Sequence, residues 1–304
     1  SWMVVRRTAH QAPVELAHSD LLAAAAHQRR HQLARAIFHN RNLVIGGTIL
    51  LLLIGAAVFA PWIAPYDPIE QNTRNALQAP NTTNLFGTDN FGRDVFSRVI
   101  YGARIDLRVG FIAVIAPLII GILLGLLSGY YGGWVDTLVM RAVDIVQAFP
   151  FLVLVIFIVA VLGPGLRNMF FAVALVAWVV YARLIRSSIL VEKSKEYVTA
   201  AQAIGGSDWR VIRQHIFPNV VTPCIVYAMA DIALYIGLAA TLSFLGLGER
   251  PPAPEWGAMI SSGRDFMTSA WWITAMPGAA IVITGIALSL IGDGLSDILR
   301  PGGR

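Results

Sequence analysis

The stretch EYVTAAQAIGGSDWRVIRQHIFPN, residues 196–219, is polar and lies between two strongly apolar segments. Tyr197, Ala200, Ala201 and Ile204 recur at i, i+3, i+4 and i+7, the spacing of one helical face. Gly205 and Gly206 interrupt that helix. Ser207 is placed to N-cap a second helix and Asp208 suits the positive end of its dipole. Trp209, Ile212 and Ile216 then extend an apolar stripe to Pro218, where the helix is expected to end. The pattern predicts two short amphipathic helices joined by a glycine elbow. An interfacial loop on lipid headgroups has the same pattern, so the residues alone leave both readings open.

The flanking segments identify the solvent. The chain has 304 residues, of which 56% are hydrophobic and 13% charged; its mean hydropathy is +0.65, and a soluble domain carries roughly 25% charged residues. Residues 43–63, 109–130 and 271–291 are free of charge and long enough for a hydrocarbon core of roughly 30 Å. Residues 145–162 hold Pro150, residues 169–182 stop before Arg183 and Arg186, and residues 219–247 are interrupted by Asp231. With these three, the expectation is an all-α integral membrane protein of six transmembrane helices. If both termini are cytoplasmic, fifteen of the 23 Lys and Arg residues fall inside. That bias places the 196–219 loop in the cytoplasm. The net charge of +5 is explained by basic ends beside anionic lipid, and no basic-aromatic platform for nucleic acid is present.

Several activities lack their residues. The only lysines are Lys193 and Lys195, and neither stands in the Gly-Lys-Ser/Thr context of a phosphate-binding loop. No histidine is followed by glutamate, as a zinc membrane protease requires. A serine protease in lipid needs a histidine base, yet the only histidine past residue 39 is His215 in the polar loop. No catalytic residue is assigned. His27 and His31 are four apart, but two histidines without further ligands do not make a metal site. The single Cys224 cannot form an intrachain disulfide.

Other positions invite specific readings. Gly121, Gly125 and Gly129 repeat every four residues, a stripe for packing or for a smooth pore wall. Arg141 and Asp144 are three apart and expected to neutralise one another. Asp231 sits mid-span without a nearby base, so it must face protein, water or substrate. In the loop before the second span, Thr88, Asp89 and Asp94 supply cap chemistry for a helix beginning near Phe91 or Val95. Asp89, Arg93 and Asp94, in the run GTDNFGRD, make this loop either a candidate docking surface or a structured outer connection.

Thr199-Ala200-Ala201, Gly205 and His215-Ile216-Phe217-Pro218-Asn219 resemble the EAA loop of bacterial ABC-importer permeases, with Thr in the Glu position. Ala64-Pro65-Tyr66-Asp67-Pro68, Gly87-Thr88-Asp89, Gly92-Arg93-Asp94, Tyr101-Gly102-Ala103-Arg104, SFLGLG at 243–248, Pro254-Glu255-Trp256-Gly257 and Gly292-Asp293-Gly294-Leu295 resemble the dipeptide/oligopeptide/nickel subfamily, the DppC/OppC type. The resemblance runs from about residue 33 to residue 301. It implies a type I importer-like permease in the bacterial inner membrane, both termini cytoplasmic. Residues 1–32 would be a cytoplasmic tail without an apolar run long enough for a signal peptide, 33–42 an interfacial elbow helix, and 43–304 the permease domain. Within that domain the outer loop spans about 64–104 and the cytoplasmic coupling loop about 191–217. Glu196, Thr199, Ala200, Ala201, Gly205, Ser207, His215 and Pro218 would couple to an ATPase.

The implied partners are a second homologous permease, two cytoplasmic ABC ATPase subunits, an extracytoplasmic solute-binding protein and lipid. This chain itself would bind no cofactor, with ATP and Mg on the ATPases. The resemblance departs at Thr199, and at Ser296 and Arg300, where DGLRDALDP-like text is usual. The contrasting reading is an ion- or proton-coupled secondary transporter, with Asp231 as its coupling site and no ATPase. The substrate, whether peptide, nickel chelate, glutathione or opine, is not legible.

Overall fold

The computed structural model describes residues 36–299. The expected tail, His27 and His31, the first part of the elbow, and Arg300 lie outside the described residues. Five helices are long and apolar enough to cross a bilayer: α1 (Arg41–Val58), α2 (Val95–Tyr131), α5 (Leu166–Lys193), α7 (Thr222–Phe244) and α9 (Trp272–Leu299). Between α2 and α5 stand α3 (Gly133–Gln147) and α4 (Phe151–Leu162), bent by 83° at their junction. Alone, the 12 residues of α4 reach about 18 Å, well short of the core. A sixth crossing would require the bent pair. The candidate span over residues 145–162 is broken where it holds Pro150, which cannot donate to the preceding turn and disfavours helical geometry at Phe149.

Two shorter helices complete the frame: α6 (Glu196–Ala203) in the polar loop and α8 (Trp256–Gly263) on the opposite side. Ala36–His39 form a helical turn, and Asn40 caps α1 by accepting from the Leu43 amide at 3.1 Å. Little of α1 is buried, only Gly46 and Ala57, as expected for a helix that faces lipid.

α2 starts at Val95, one of the two starts expected from the caps, and runs for 37 residues, about 55 Å at 1.5 Å per residue. Its N-terminal turns thus rise beyond the hydrocarbon. Asp94 caps it, accepting from the Ser97 amide and hydroxyl at 2.7 Å each. Asn84 donates to the other Asp94 oxygen at 2.8 Å. Asp89 accepts the Phe91 and Arg93 amides at 2.8 and 3.0 Å and pairs with the Arg93 guanidinium at 2.6 Å. Asp89, Arg93 and Asp94 are all buried. These side chains fold the outer loop and are not available on its surface, which corrects their reading as docking contacts. Trp272 Nε1, at the start of α9, donates to the Thr88 carbonyl at 3.0 Å and fastens the loop to the spans.

α2 packs most extensively against α5. A Cβ on Gly121 would stand 2.4 Å from the Tyr181 Cβ, and one on Gly125 would stand 2.4 Å from the Ala182 carbonyl oxygen. At Gly129 the nearest atom is the Ile189 Cβ at 3.0 Å. The stripe thus meets a helix of the same chain, backbone against backbone. In lipid, where apolar transfer gives no net drive between helices, such close packing is what holds a pair together.

Gly125→Leu should force α2 and α5 apart and cost about 1–3 kcal/mol, the usual scale of core overpacking. A lower melting temperature of the purified protein in detergent checks this; an unchanged one would mean that the seam does not hold the spans.

Candidate coupling loop and intramembrane cavity

The polar loop begins where α5 ends. α6 buries Val198 and leaves Tyr197, Thr199, Ala200 and Glu196 exposed. Of the apolar face anticipated from Tyr197, Ala200, Ala201 and Ile204, Ala201 packs against the core while the other three are exposed, Ile204 at 88%. Gly205 makes the elbow at φ +84°, a left-handed conformation that glycine adopts without steric cost. Ser207 occupies the N-cap position of Asp208–Val211 but forms no side-chain capping bond. Trp209 is 69% exposed, whereas Ile212 and Ile216 are buried. Pro218 does not end the helix. A π-helical turn over Ile212–Ile216 comes first, so Pro218 enters as an early residue of Phe217–Val220 and the chain continues almost directly into α7. Widening the preceding turn removes the carbonyl that the proline ring would strike.

Two polar clusters fasten this loop to the spans. At the end of α2, the Tyr130 hydroxyl donates to Asp208 Oδ1 at 2.7 Å, and Lys193 Nζ donates to the Tyr130 carbonyl at 2.6 Å. At the end of α5, the buried Glu192 accepts from the Tyr197 hydroxyl, from Lys195 Nζ at 2.7 Å and from Asn219 Nδ2 at 3.1 Å. Asn219 also donates to the His215 carbonyl at 2.8 Å. The Glu192 bond raises the Lys195 ammonium above its ordinary pKa. Burial, and then the same carboxylate, raise the Tyr197 phenol. Sequence reading did not single out Tyr130 or Glu192 and gave Asn219 no role of its own. Tyr130–Asp208 and Glu192–Asn219 join positions 78 and 27 residues apart, although Lys195 and Tyr197, three and five residues from Glu192, were a local signal.

Further ion pairs tie α3 to α5. Arg186 grips Asp136 through two bonds of 2.5 and 2.6 Å. Asp144 pairs with Arg183 at 3.2 Å. This corrects the expected Arg141–Asp144 pair: α3 packs beside α5, and Asp144 is taken by Arg183 of that neighbouring helix.

Midway through the spans lies a cavity of about 400 Å³. It is lined at the α3–α4 bend by Gln147, Phe149 and Phe151, and on α7 by Tyr227, Asp231 and Tyr235. Asp231 is buried and accepts from the Tyr181 hydroxyl at 2.6 Å and the Tyr235 hydroxyl at 2.9 Å. Tyr235, four residues on, was the partner that helical spacing could have revealed; Tyr181 belongs to α5. Among the described residues there is no cluster of three or more His, Cys, Asp or Glu suited to a metal.

Residues 121–304, from the glycine seam through the loop and cavity, match the family described as binding-protein-dependent transport system inner membrane component. The chain belongs to that family. Residues 30–80 match the N-terminal TM domain of oligopeptide transport permease C. The chain is 45% identical over 262 residues to the dipeptide transport system permease protein DppC of Alkalihalophilus pseudofirmus, with 86% of each chain covered. It is 44% identical over 269 residues to the di/tripeptide transport system permease protein DppC of Pseudomonas aeruginosa, covering 86% of this chain and 89% of the relative. The fold is similar to that in the MetNI methionine ABC transporter in inward-facing conformations, with a TM-score of 0.55 at 18% identity. That likeness covers 67% of this chain and 97% of the other. The protein is thus a transmembrane permease subunit of an ABC importer, an inner membrane component that works within a larger complex and is not itself the ATPase.

Tyr130→Phe deletes the bond to Asp208 and should cost about 1.5 kcal/mol locally, as for a hydrogen bond to a charged group. Amide exchange across 208–216 is expected to quicken by roughly tenfold with little change in global melting. Unchanged exchange would show that α2 does not hold the loop.

Proposed function

We propose that this permease, with a second homologous permease, forms the translocation path of an ATP-driven importer of di- or oligopeptides or a related small solute. The observation that carries this reading is the loop. Its elbow presents Ile204 and Trp209 to solvent, while Tyr130, Lys193 and Glu192 bind its base to α2 and α5. A surface that exposes apolar side chains while its roots are anchored in the spans suits a partner that pulls on it. In this reading Glu196, Thr199, Ala200, Ala201, Gly205, Ser207, His215 and Pro218 belong to the coupling segment, 191–217, seated on one of two cytoplasmic ATPase subunits that hold ATP and Mg.

Closure of the ATPase pair would shift the loop, and the loop would shift α2 and α5 beside the cavity, biasing the path between inward and outward access. Both termini are then cytoplasmic, with 1–32 a tail, 33–42 an elbow helix and 43–304 the permease domain. A solute-binding protein would dock outside over the loop at 64–104, meeting its exposed residues and not Asp89, Arg93 or Asp94. Peptides as cargo follow from the dipeptide and di/tripeptide permeases that the chain resembles.

Gly205→Val puts a β-branched side chain at φ +84°, a strain of about 1–3 kcal/mol. No other group stands within 4 Å of its Cβ position, so the effect is on the elbow and not on packing. In a reconstituted complex that still co-purifies with its ATPase, substrate-stimulated ATP hydrolysis should fall severalfold. Wild-type stimulation in an assembled mutant would remove the loop from the coupling route.

A further inference from the structure

Asp231 is only 5% exposed, and its two oxygens are used unequally. Tyr181 and Tyr235 both donate to Oδ2, while Oδ1 receives no hydrogen bond from any described residue. Oδ1 is also absent from the buried polar atoms that lack a partner, so it opens onto the cavity that Asp231 lines. Among the described residues lining that cavity, Asp231 is the one charged side chain. The remainder is apolar or aromatic apart from Gln147, with Phe149, Phe151, Tyr227 and Tyr235 presenting rings or phenols.

A purely structural aspartate at this depth would use both oxygens, because an unpaired carboxylate oxygen in an apolar wall is expensive. Here the two phenols fix the carboxyl rotamer through one oxygen and leave the other as an aimed acceptor. Aromatic faces beside it favour a cation as well. We propose that Asp231 is a specificity-determining residue of the translocation path, recognising a primary ammonium group of the passing solute, such as the free amino terminus of a small peptide, through Oδ1. Tyr181 and Tyr235 are positioning residues for that carboxylate. This rests on the importer reading, in which the cavity belongs to the path, and deepens it by naming the group recognised.

The test uses the assembled complex, purified with its partner permease and ATPases and without binding protein, so that the solute-binding protein cannot select the probe. L-alanyl-L-alanine and its N-acetyl derivative are titrated and the melting temperature followed, since a ligand of the folded state stabilises it by mass action. The free amine should stabilise the wild type with an apparent affinity at least about tenfold tighter than the acetylated probe, the scale of one charge-assisted hydrogen bond. Asp231→Asn should abolish that preference, Asp231→Glu should restore part of it, and Tyr181→Phe, which spares Oδ1, should retain more of it than Asp231→Asn. Equal response to both probes, no response to either, or an undiminished preference in Asp231→Asn would overturn the assignment. The probe comparison in the wild type needs no variant, so it decides the matter even if Asp231→Asn does not assemble. ATP-dependent uptake by the complete wild-type complex with binding protein is measured in parallel. Its absence would overturn the importer reading, whereas uptake without amine preference would overturn only the role of Asp231.

Discussion

The backbone contact between α2 and α5, open only because Gly121, Gly125 and Gly129 carry no side chains, sets the positions on which the rest of the permease depends. Gly121 makes room for Tyr181, and Tyr181 holds Asp231 of α7 at the cavity. Gly125 lies on Ala182, between that tyrosine and Arg186, which in turn grips Asp136 of α3. Gly129 leads to Tyr130, where the polar loop is tied. One helix pair therefore carries the cavity at its middle and the coupling loop at its end. Dispersion between atoms at contact distance is worth only ~0.1–0.2 kcal/mol per pair, so a seam of this kind needs a long run of close approach.

The loop shows how polar chemistry completes what apolar packing cannot. It buries Val198, Val211, Ile212 and Ile216 in the core and leaves Ile204 and Trp209 outside, and hydrogen bonds to Tyr130 and Glu192 further secure its base. Bonds with charged members are strong but directional. They suit a part that must move with α2 and α5 and not slide over them. The π-turn at Ile212–Ile216 extends this continuity past Pro218 into α7, so the loop is linked to three spans.

Local features of this fold were legible in the sequence, and contacts between distant elements were not. Spacing of four residues revealed the glycine stripe, capping residues offered Val95 as one of two starts for α2, and charge-free runs marked three of the spans. The loop was recognised as helix, elbow, helix, with the glycine where a left-handed residue is required. The failures share a cause. Arg141 lost Asp144 to Arg183, a residue 39 positions beyond Asp144 on the neighbouring α5. Asp89, Arg93 and Asp94 look like surface charge in GTDNFGRD but are folded onto amides and guanidinium within their own loop. Pro218 reads as a stop only if the turn before it is assumed to be regular. For the cavity, sequence supplied Asp231 alone. Its partner Tyr181 comes from a helix 50 residues away, brought there by the seam.

Tied through Tyr130 and Glu192, the loop and the α2–α5 pair are expected to move as one body. Spin labels at Ser187→Cys on α5 and Ser207→Cys at the elbow, both exposed positions, report on it directly, with the buried Cys224 left unlabelled. In the complete complex the distance between them should keep the same narrow distribution with and without ATP, and should broaden when Tyr130→Phe is added. A shift of several ångströms between the nucleotide states, with Tyr130 intact, would contradict the account.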